Sequence, residues 1–181
     1  MSQKCNFIFV YGTLKSNEPN CHLMENLIIC KKFSYVGKGV LKEKRPLIIA
    51  SDYNLPYLLD TTGFGNHVKG EIYKYHTNDA LVDLDRLEIH PEHYERKVCK
   101  VIVLENDSFQ ELNCWVYILT DFVRELLIYP TIEEYYNGIM NKFYVDVSTN
   151  PPNFIQPIDF VKNKKINIIS NTINKEKICS S

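Results

Sequence analysis

Apolar and polar positions follow two rhythms along this chain, and the points where one gives way to the other divide it into elements. Phe7-Ile8-Phe9-Val10-Tyr11 is an unbroken apolar run without polar alternation, which predicts a short strand buried on both faces and stopped at Gly12-Thr13. Leu23 and Leu27, with Met24 and Ile28 beside them, recur at helical spacing and predict a helix over 21–30. Residues 33–41 and 47–50 read as strands separated by a charged stretch at 42–45, and 68–73 alternates in the strand period. A helix is predicted from about Asp79 to Ile89, with Thr77 or Asn78 as N-cap and Pro91 just beyond its end. Strands over 97–104 and 114–119 follow, joined by a polar turn at 106–108. Spacing then predicts a helix over 122–143, broken or kinked near Pro130.

Two stretches fit neither rhythm. Asn54-Leu55-Pro56-Tyr57-Leu58-Leu59 places a proline between two apolar pairs, ahead of a turn marked by Gly63 and Gly65. From Pro151-Pro152 onward the chain is rich in Asn, Lys and Ile, a composition that suits either an extended arm draped over the domain or a disordered tail. No internal repeat is present. We therefore expect one domain over 1–149 and a C-terminal extension over 150–181 whose structure periodicity leaves open.

Composition narrows the class. With 181 residues, 45% hydrophobic and 24% charged, the chain can bury enough apolar surface to fold without disulfides or metals. Twelve tyrosines and nine phenylalanines suit a β-rich core. A net charge of -1 gives no overall electrostatic reason to expect nucleic acid or an anionic membrane as partner. The N-terminal apolar run is too short for a secretory core or a membrane span, so a soluble, cytoplasmic protein is expected. Its six scattered cysteines then read as free thiols, with no C-x-x-C pair among them. The sequon Asn106-Asp107-Ser108 carries no meaning without secretion.

The first candidate for chemistry comes from helix geometry. With Leu81 at zero and roughly 100° per residue, Leu84 falls near 300°, Leu87 near 240° and Glu88 near 340°. Glu88 thus lies within the leucine stripe, while Asp85 sits at its edge, at about 40°. A carboxylate on a buried face must be hydrogen-bonded, line a cavity or carry a raised pKa, and general acid/base catalysis uses the last of these. The plain alternative is that Glu88, in the last turn, reaches water or pairs with Arg96 or His93.

Three stretches, in order, carry a family resemblance. Tyr11-Gly12-Thr13-Leu14 resembles the Y-G-[ST]-L loop of the γ-glutamylcyclotransferase-like family. Val68-Lys69-Gly70-Glu71-Ile72-Tyr73 is similar to its V-x-G-E-[IV]-Y strand. Leu84-Asp85-Arg86-Leu87-Glu88, followed by His90-Pro91 and Tyr94-Glu95-Arg96, resembles the segment with its catalytic glutamate. Arg45-Pro46-Leu47 and the Asn54–Leu59 stretch resemble the γ-glutamylamine-cleaving branch. The implied fold is α+β: a small, partly closed mixed β-barrel with flanking helices and a site in a cavity at the barrel's edge. The implied activity releases 5-oxoproline and a free amine from γ-glutamyl amines such as γ-glutamyl-ε-lysine. Glu88 is the implied catalytic residue, and Tyr11, Gly12, Thr13 and Leu14 are the implied substrate-binding residues. The substrate is a small molecule, and no cofactor or metal is called for.

Two alternatives stand beside this. One is the same chemistry on γ-glutamyl-α-amino acids or glutathione; the other is a non-catalytic binding module with the same fold. His90, His93 and Cys99 lack the spacing of known zinc motifs, Cys21 and Cys114 have no evident histidine partner, and Tyr94 and Arg96 read as support for Glu88.

Overall fold

The computed structural model describes residues 5–77, 79–104 and 110–162. Among these residues, eight strands and three α-helices follow one another as β1 (Phe7–Val10), α1 (Cys21–Ile29), β2 (Phe33–Leu41), β3 (Leu47–Ala50), β4 (Leu55–Leu58), β5 (Lys69–Tyr75), α2 (Ala80–Leu87), β6 (Glu95–Val103), β7 (Glu111–Ile118), β8 (Thr131–Ile132) and α3 (Pro157–Lys162). Five strands close into a barrel in the order β1-β5-β2-β6-β7, and β4-β3-β8 form a separate sheet. All neighbouring pairs in the barrel are antiparallel except the one that closes it, where Phe7 and Ile8 of β1 run parallel to Cys114 and Trp115 of β7. The expected mixed barrel with flanking helices is therefore present, and its ring is complete.

The first strand shows why its residues are all apolar. Ile8 and Val10 face a core shared with Met24 of α1, Leu81 and Leu84 of α2, and Phe160 and Val161 of α3. Phe9, between them, faces the other way into a core shared with Leu41, Ile72, Val101 and Val116 of the barrel and Leu47 and Ile49 of the second sheet. Opposite faces of one strand serve two cores, so no position is left for a polar side chain. Gly70 makes this packing possible, because a Cβ there would collide with the Val10 carbonyl oxygen and lie 2.6 Å from the Phe9 ring.

The awkward proline stretch is a strand. Pro56 stands opposite Ile49 in β4, and β4 is an edge of its sheet, where a residue without an N–H costs no ladder bond. The predicted helix over 122–143 is not formed. Residues Arg124–Ile128 make a 3₁₀ turn, Thr131–Ile132 pair with β3 as β8, and the chain to 143 is irregular apart from a short 3₁₀ turn at Ile139–Asn141. Val123 and Leu126 are buried three residues apart, a spacing that 3₁₀ geometry satisfies as well as an α-helix does. Pro130 ends that turn, and β-branched Thr131 and Ile132 pair instead with Ile48 and Leu47.

The second helix begins at Ala80 with Asp79 in the N-cap position. Asn78 lies outside the described residues, as do the 106–108 sequon and the segment 163–181. Of the expected extension, residues 150–162 pack on the domain. Ile155 N–H donates to Asp52 Oδ2 at 3.0 Å, Phe154 meets the Tyr53 ring edge-on, and the Val123 N–H donates to the Val161 carbonyl at 2.9 Å. No helix among the described residues is long and apolar enough to cross a membrane.

Candidate active site

A cavity of about 440 Å³ opens between the barrel rim, the end of α2, β4 and the C-terminal segment. Three of its sides come from places the sequence singled out. Val10 to Leu14 leave β1 along one wall, Leu87 to Ile89 form a second, and Leu55 and Pro56 a third. Tyr144, Asp146, Val147 and Ser148, with Gln156, Pro157 and Ile158, form the remaining side. Glu88 and Asp146 are the acids among the described lining residues, and no Lys or Arg is among them.

Glu88 stands at the cavity because α2 ends one residue before it. Its N–H still donates to the Leu84 carbonyl at 2.9 Å, and the chain turns away at Ile89, where φ is 50°. Ala80, Leu81 and Leu84 form the buried stripe, whereas Leu87, expected within it, is 42% exposed. Glu88 is half-buried as a residue, but protein atoms enclose its carboxyl on the inner side of the cavity, and that enclosure governs its proton affinity. Among the described residues nothing donates a hydrogen bond to this carboxyl or pairs with it. Burial alone therefore acts on it, pushing its pKa up from 4.5 to about 7.

Neither Arg96 nor His93 pairs with Glu88. Arg96 Nη1 donates to both oxygens of Asp85 at 3.0 Å, and the Arg96 guanidinium lies 5.0 Å from the centre of the Trp115 ring. His93 is buried, and both its ring nitrogens lack hydrogen-bond partners among the described residues. Burial, helped by the Lys162 charge, pushes the His93 imidazole down to about 4, so it is neutral near pH 7 and offers Glu88 no charge. His90, His93 and Cys99 do not gather either: no group of three or more potential metal-binding side chains occurs among the described residues.

The Tyr11-Gly12-Thr13-Leu14 loop borders the same cavity. Its turn is closed by Lys15 N–H donating to the Gly12 carbonyl at 3.1 Å and Asn20 N–H donating to the Thr13 carbonyl at 2.9 Å. Among the described residues, the N–H groups of Gly12, Thr13 and Leu14 have no protein acceptor. Consecutive unpaired N–H groups at a turn are a setting for an anion. Gly12 is needed for packing, since a Cβ there would lie 2.8 Å from Pro56 Cγ across the cavity floor.

Several further contacts hold this arrangement, and the sequence did not foretell them. Glu71, from the V-x-G-E-x-Y stretch, accepts from Ser16 N–H at 2.9 Å, Ser16 Oγ at 3.1 Å and Tyr73 Oη at 2.8 Å, all on one oxygen. It ties the far end of the loop to β5. Asn20 Nδ2 donates to Thr13 Oγ1 at 3.1 Å and to Tyr144 Oη at 3.5 Å, joining loop and C-terminal wall. Tyr11 Oη donates to the Tyr117 carbonyl at 2.8 Å, which fixes the loop to β7. A buried glutamate in a strand was the one available signal for Glu71. Asn20 and the C-terminal wall carry none, because their role depends on which segments meet.

This is the frame of a cyclotransferase. The family model described as "Gamma-glutamyl cyclotransferase, AIG2-like" matches residues 8–136, and the chain belongs to that family of enzymes. It is 37% identical over 132 residues to a gamma-glutamylaminecyclotransferase of Mus musculus, covering 71% of this chain and 87% of that one. It is 34% identical over 132 residues to gamma-glutamylaminecyclotransferase C of Danio rerio, with 71% and 84% covered. The crystal structure of an AIG2-like protein from Mus musculus superposes with a TM-score of 0.70 at 33% identity, over 80% of this chain and 98% of that one.

Proposed function

We propose that this protein is a γ-glutamylamine cyclotransferase, with Glu88 as its proton carrier. The observation that carries the reading is the Glu88 carboxyl: enclosed, unpaired, pushed up to about 7 and lining the cavity that the loop also lines. A buried carboxylate without donors is costly to keep for structure, and proton transfer gives it a use.

In a γ-glutamyl amide, nucleophile and electrophile belong to one molecule. The α-ammonium gives a proton to Glu88, and its nitrogen attacks the γ-carbonyl carbon to close a five-membered ring. Glu88 returns that proton to the leaving nitrogen as its C–N bond breaks, then takes the second proton that the ring nitrogen must lose to become the lactam N–H and passes it to the departing amine, which leaves as an ammonium. The products are 5-oxoproline and a free amine, with no net change in protons on Glu88. An α-amino group ordinarily titrates roughly a unit or more above 7, so a carboxylate near 7 takes the proton at small cost and still gives it up to an amine. Holding the folded conformer is the other contribution, worth up to roughly 7–11 kcal/mol in ideal intramolecular cases. The unpaired N–H groups of Gly12, Thr13 and Leu14 suit the substrate α-carboxylate.

The lining also favours an amine over an α-amino acid as leaving group. A γ-glutamyl-α-amino acid places a carboxylate beside the scissile bond, and no Lys or Arg lines the described cavity to pair with it. The names of the mouse and zebrafish relatives point the same way. The test is release of 5-oxoproline and lysine from γ-glutamyl-ε-lysine by the wild type and Glu88→Gln, with a γ-glutamyl-α-amino acid in parallel. We expect turnover of the first substrate by the wild type only. Turnover of the α-amino acid derivative alone would move the assignment to the sister activity; normal turnover by Glu88→Gln would remove Glu88 from the mechanism.

A further inference from the structure

Three tyrosines line the cavity near Glu88, and all three hydroxyl protons are engaged elsewhere. Tyr117 Oη donates to Asp85 Oδ1 at 2.7 Å, Tyr11 Oη donates to the Tyr117 carbonyl at 2.8 Å, and Tyr94 Oη donates to the Pro56 carbonyl at 3.4 Å. Each residue is less than a tenth exposed, and each hydroxyl lies within electrostatic reach of the Glu88 carboxylate. A phenol has one proton and two lone pairs. Once the proton is committed, the oxygen can only accept, and on Tyr11 one lone pair already faces the Leu58 N–H.

None of the three donates a hydrogen bond to the Glu88 carboxyl. This defines what the corner can bind. Asp85 is held in place by Arg96, which donates to both its oxygens, so the acceptor for Tyr117 does not move away. The corner thus combines one carboxylate with hydroxyl oxygens that offer lone pairs. A carboxylate ligand finds no donor there. A primary ammonium, with three N–H donors and a positive charge, matches it.

We propose that Tyr117, Tyr94 and Tyr11 form an acceptor-only cage that binds the α-ammonium group of the γ-glutamyl substrate and holds its nitrogen beside Glu88. The proposal rests on the cyclotransferase reading above and adds the subsite for the nucleophile. When Glu88 takes one proton, two N–H groups remain on the nitrogen and stay with tyrosine oxygens. The new lone pair is left free to attack the γ-carbonyl carbon, and the carboxylate of the substrate is directed by exclusion toward the N–H groups of the loop.

The test compares a substrate with a ligand that lacks only the α-amine. γ-Glutamylbutylamine is the substrate, and N-butylglutaramate, which keeps the carboxylate, the chain and the amide but cannot cyclise, is the competitive inhibitor. Tyr117→Phe and Tyr94→Phe should each raise KM for the substrate about 10-fold, the scale of a hydrogen bond to a charged group, while Ki for the inhibitor stays at the wild-type value. Tyr117→Phe also removes a bond to Asp85; Tyr94→Phe loses only a 3.4 Å contact and keeps the test alive should the first variant fold poorly. KM and Ki rising together, or neither changing, would overturn the cage. Absence of 5-oxoproline from the wild type would instead overturn the reading beneath it.

Discussion

Two glutamates stand beside the loop at 11–14, and their surroundings are opposites. Glu71, on β5, is 7% exposed and accepts three hydrogen bonds on one oxygen from Ser16 and Tyr73. Glu88, at the end of α2, is enclosed by protein atoms and has no donor among the described residues. Both positions would cost several kcal/mol for a bare carboxylate, on the order of the penalty for an unpaired buried ion. Donors offset that cost at Glu71, and its hydrogen bonds anchor the loop. At Glu88 nothing offsets it, so the proton is held more tightly and becomes available for transfer. Burial makes a carboxylate expensive; the presence or absence of donors decides whether it becomes an anchor or an acid–base group.

The sharpest way to break this contrast is to neutralise each glutamate. Glu88→Gln should lower kcat by at least about 10²-fold while the melting transition stays cooperative. Glu71→Ala should do the reverse in emphasis: a loss of roughly 1–3 kcal/mol in denaturant unfolding, with activity falling only as the loop loses its anchor. Equal effects of the two on kcat, once folding is accounted for, would erase the distinction.

A second comparison is the stability of the two variants against pH. The Glu88 pKa is about 7 in the folded chain and 4.5 as its ordinary value, so between those pH values the folded chain holds the extra proton. Stability from this group therefore falls as pH rises from 4.5 to 7 and stays low above it. Glu88→Gln should for that reason be more stable than the wild type at pH 8, by up to about 3 kcal/mol, and no more stable at pH 4. His93 acts in the opposite sense: its folded pKa of about 4 lies below the ordinary 6.5, so stability is lost as pH falls through that window. The smallest effect expected is on the pH profile itself. Since Glu88 must be ionised to accept a proton, kcat/KM should rise with pH to a shoulder near 7. A profile flat from pH 5 to 8 would mean that its carboxyl titrates outside this range.

Much of the barrel and of the second sheet was legible in the pattern of side chains, because strands buried on both faces leave unbroken apolar runs. Phe7 to Val10 and Leu47 to Ala50 are such runs. Leu55 to Leu58 was obscured by Pro56, since tolerance of a proline depends on the strand being an edge, a property of the sheet rather than of the segment. The helix expected over 122–143 failed because three-residue spacing cannot separate an α-helix from a 3₁₀ turn that packs the same side chains.

The sequence by itself determined the family of this protein, where along the chain most of its strands lie and that Glu88 falls on the buried side of its helix. Those properties are local: they need only periodicity, turn chemistry and motif spacing. Tertiary structure alone decided that Arg96 pairs with Asp85 and leaves Glu88 bare, that Tyr117 and Tyr94 join Tyr11 around it, and that residues 144–148 and 156–158 close the cavity. These outcomes depend on which of several competing partners comes within about 3 Å, and helix geometry bounds that choice without making it.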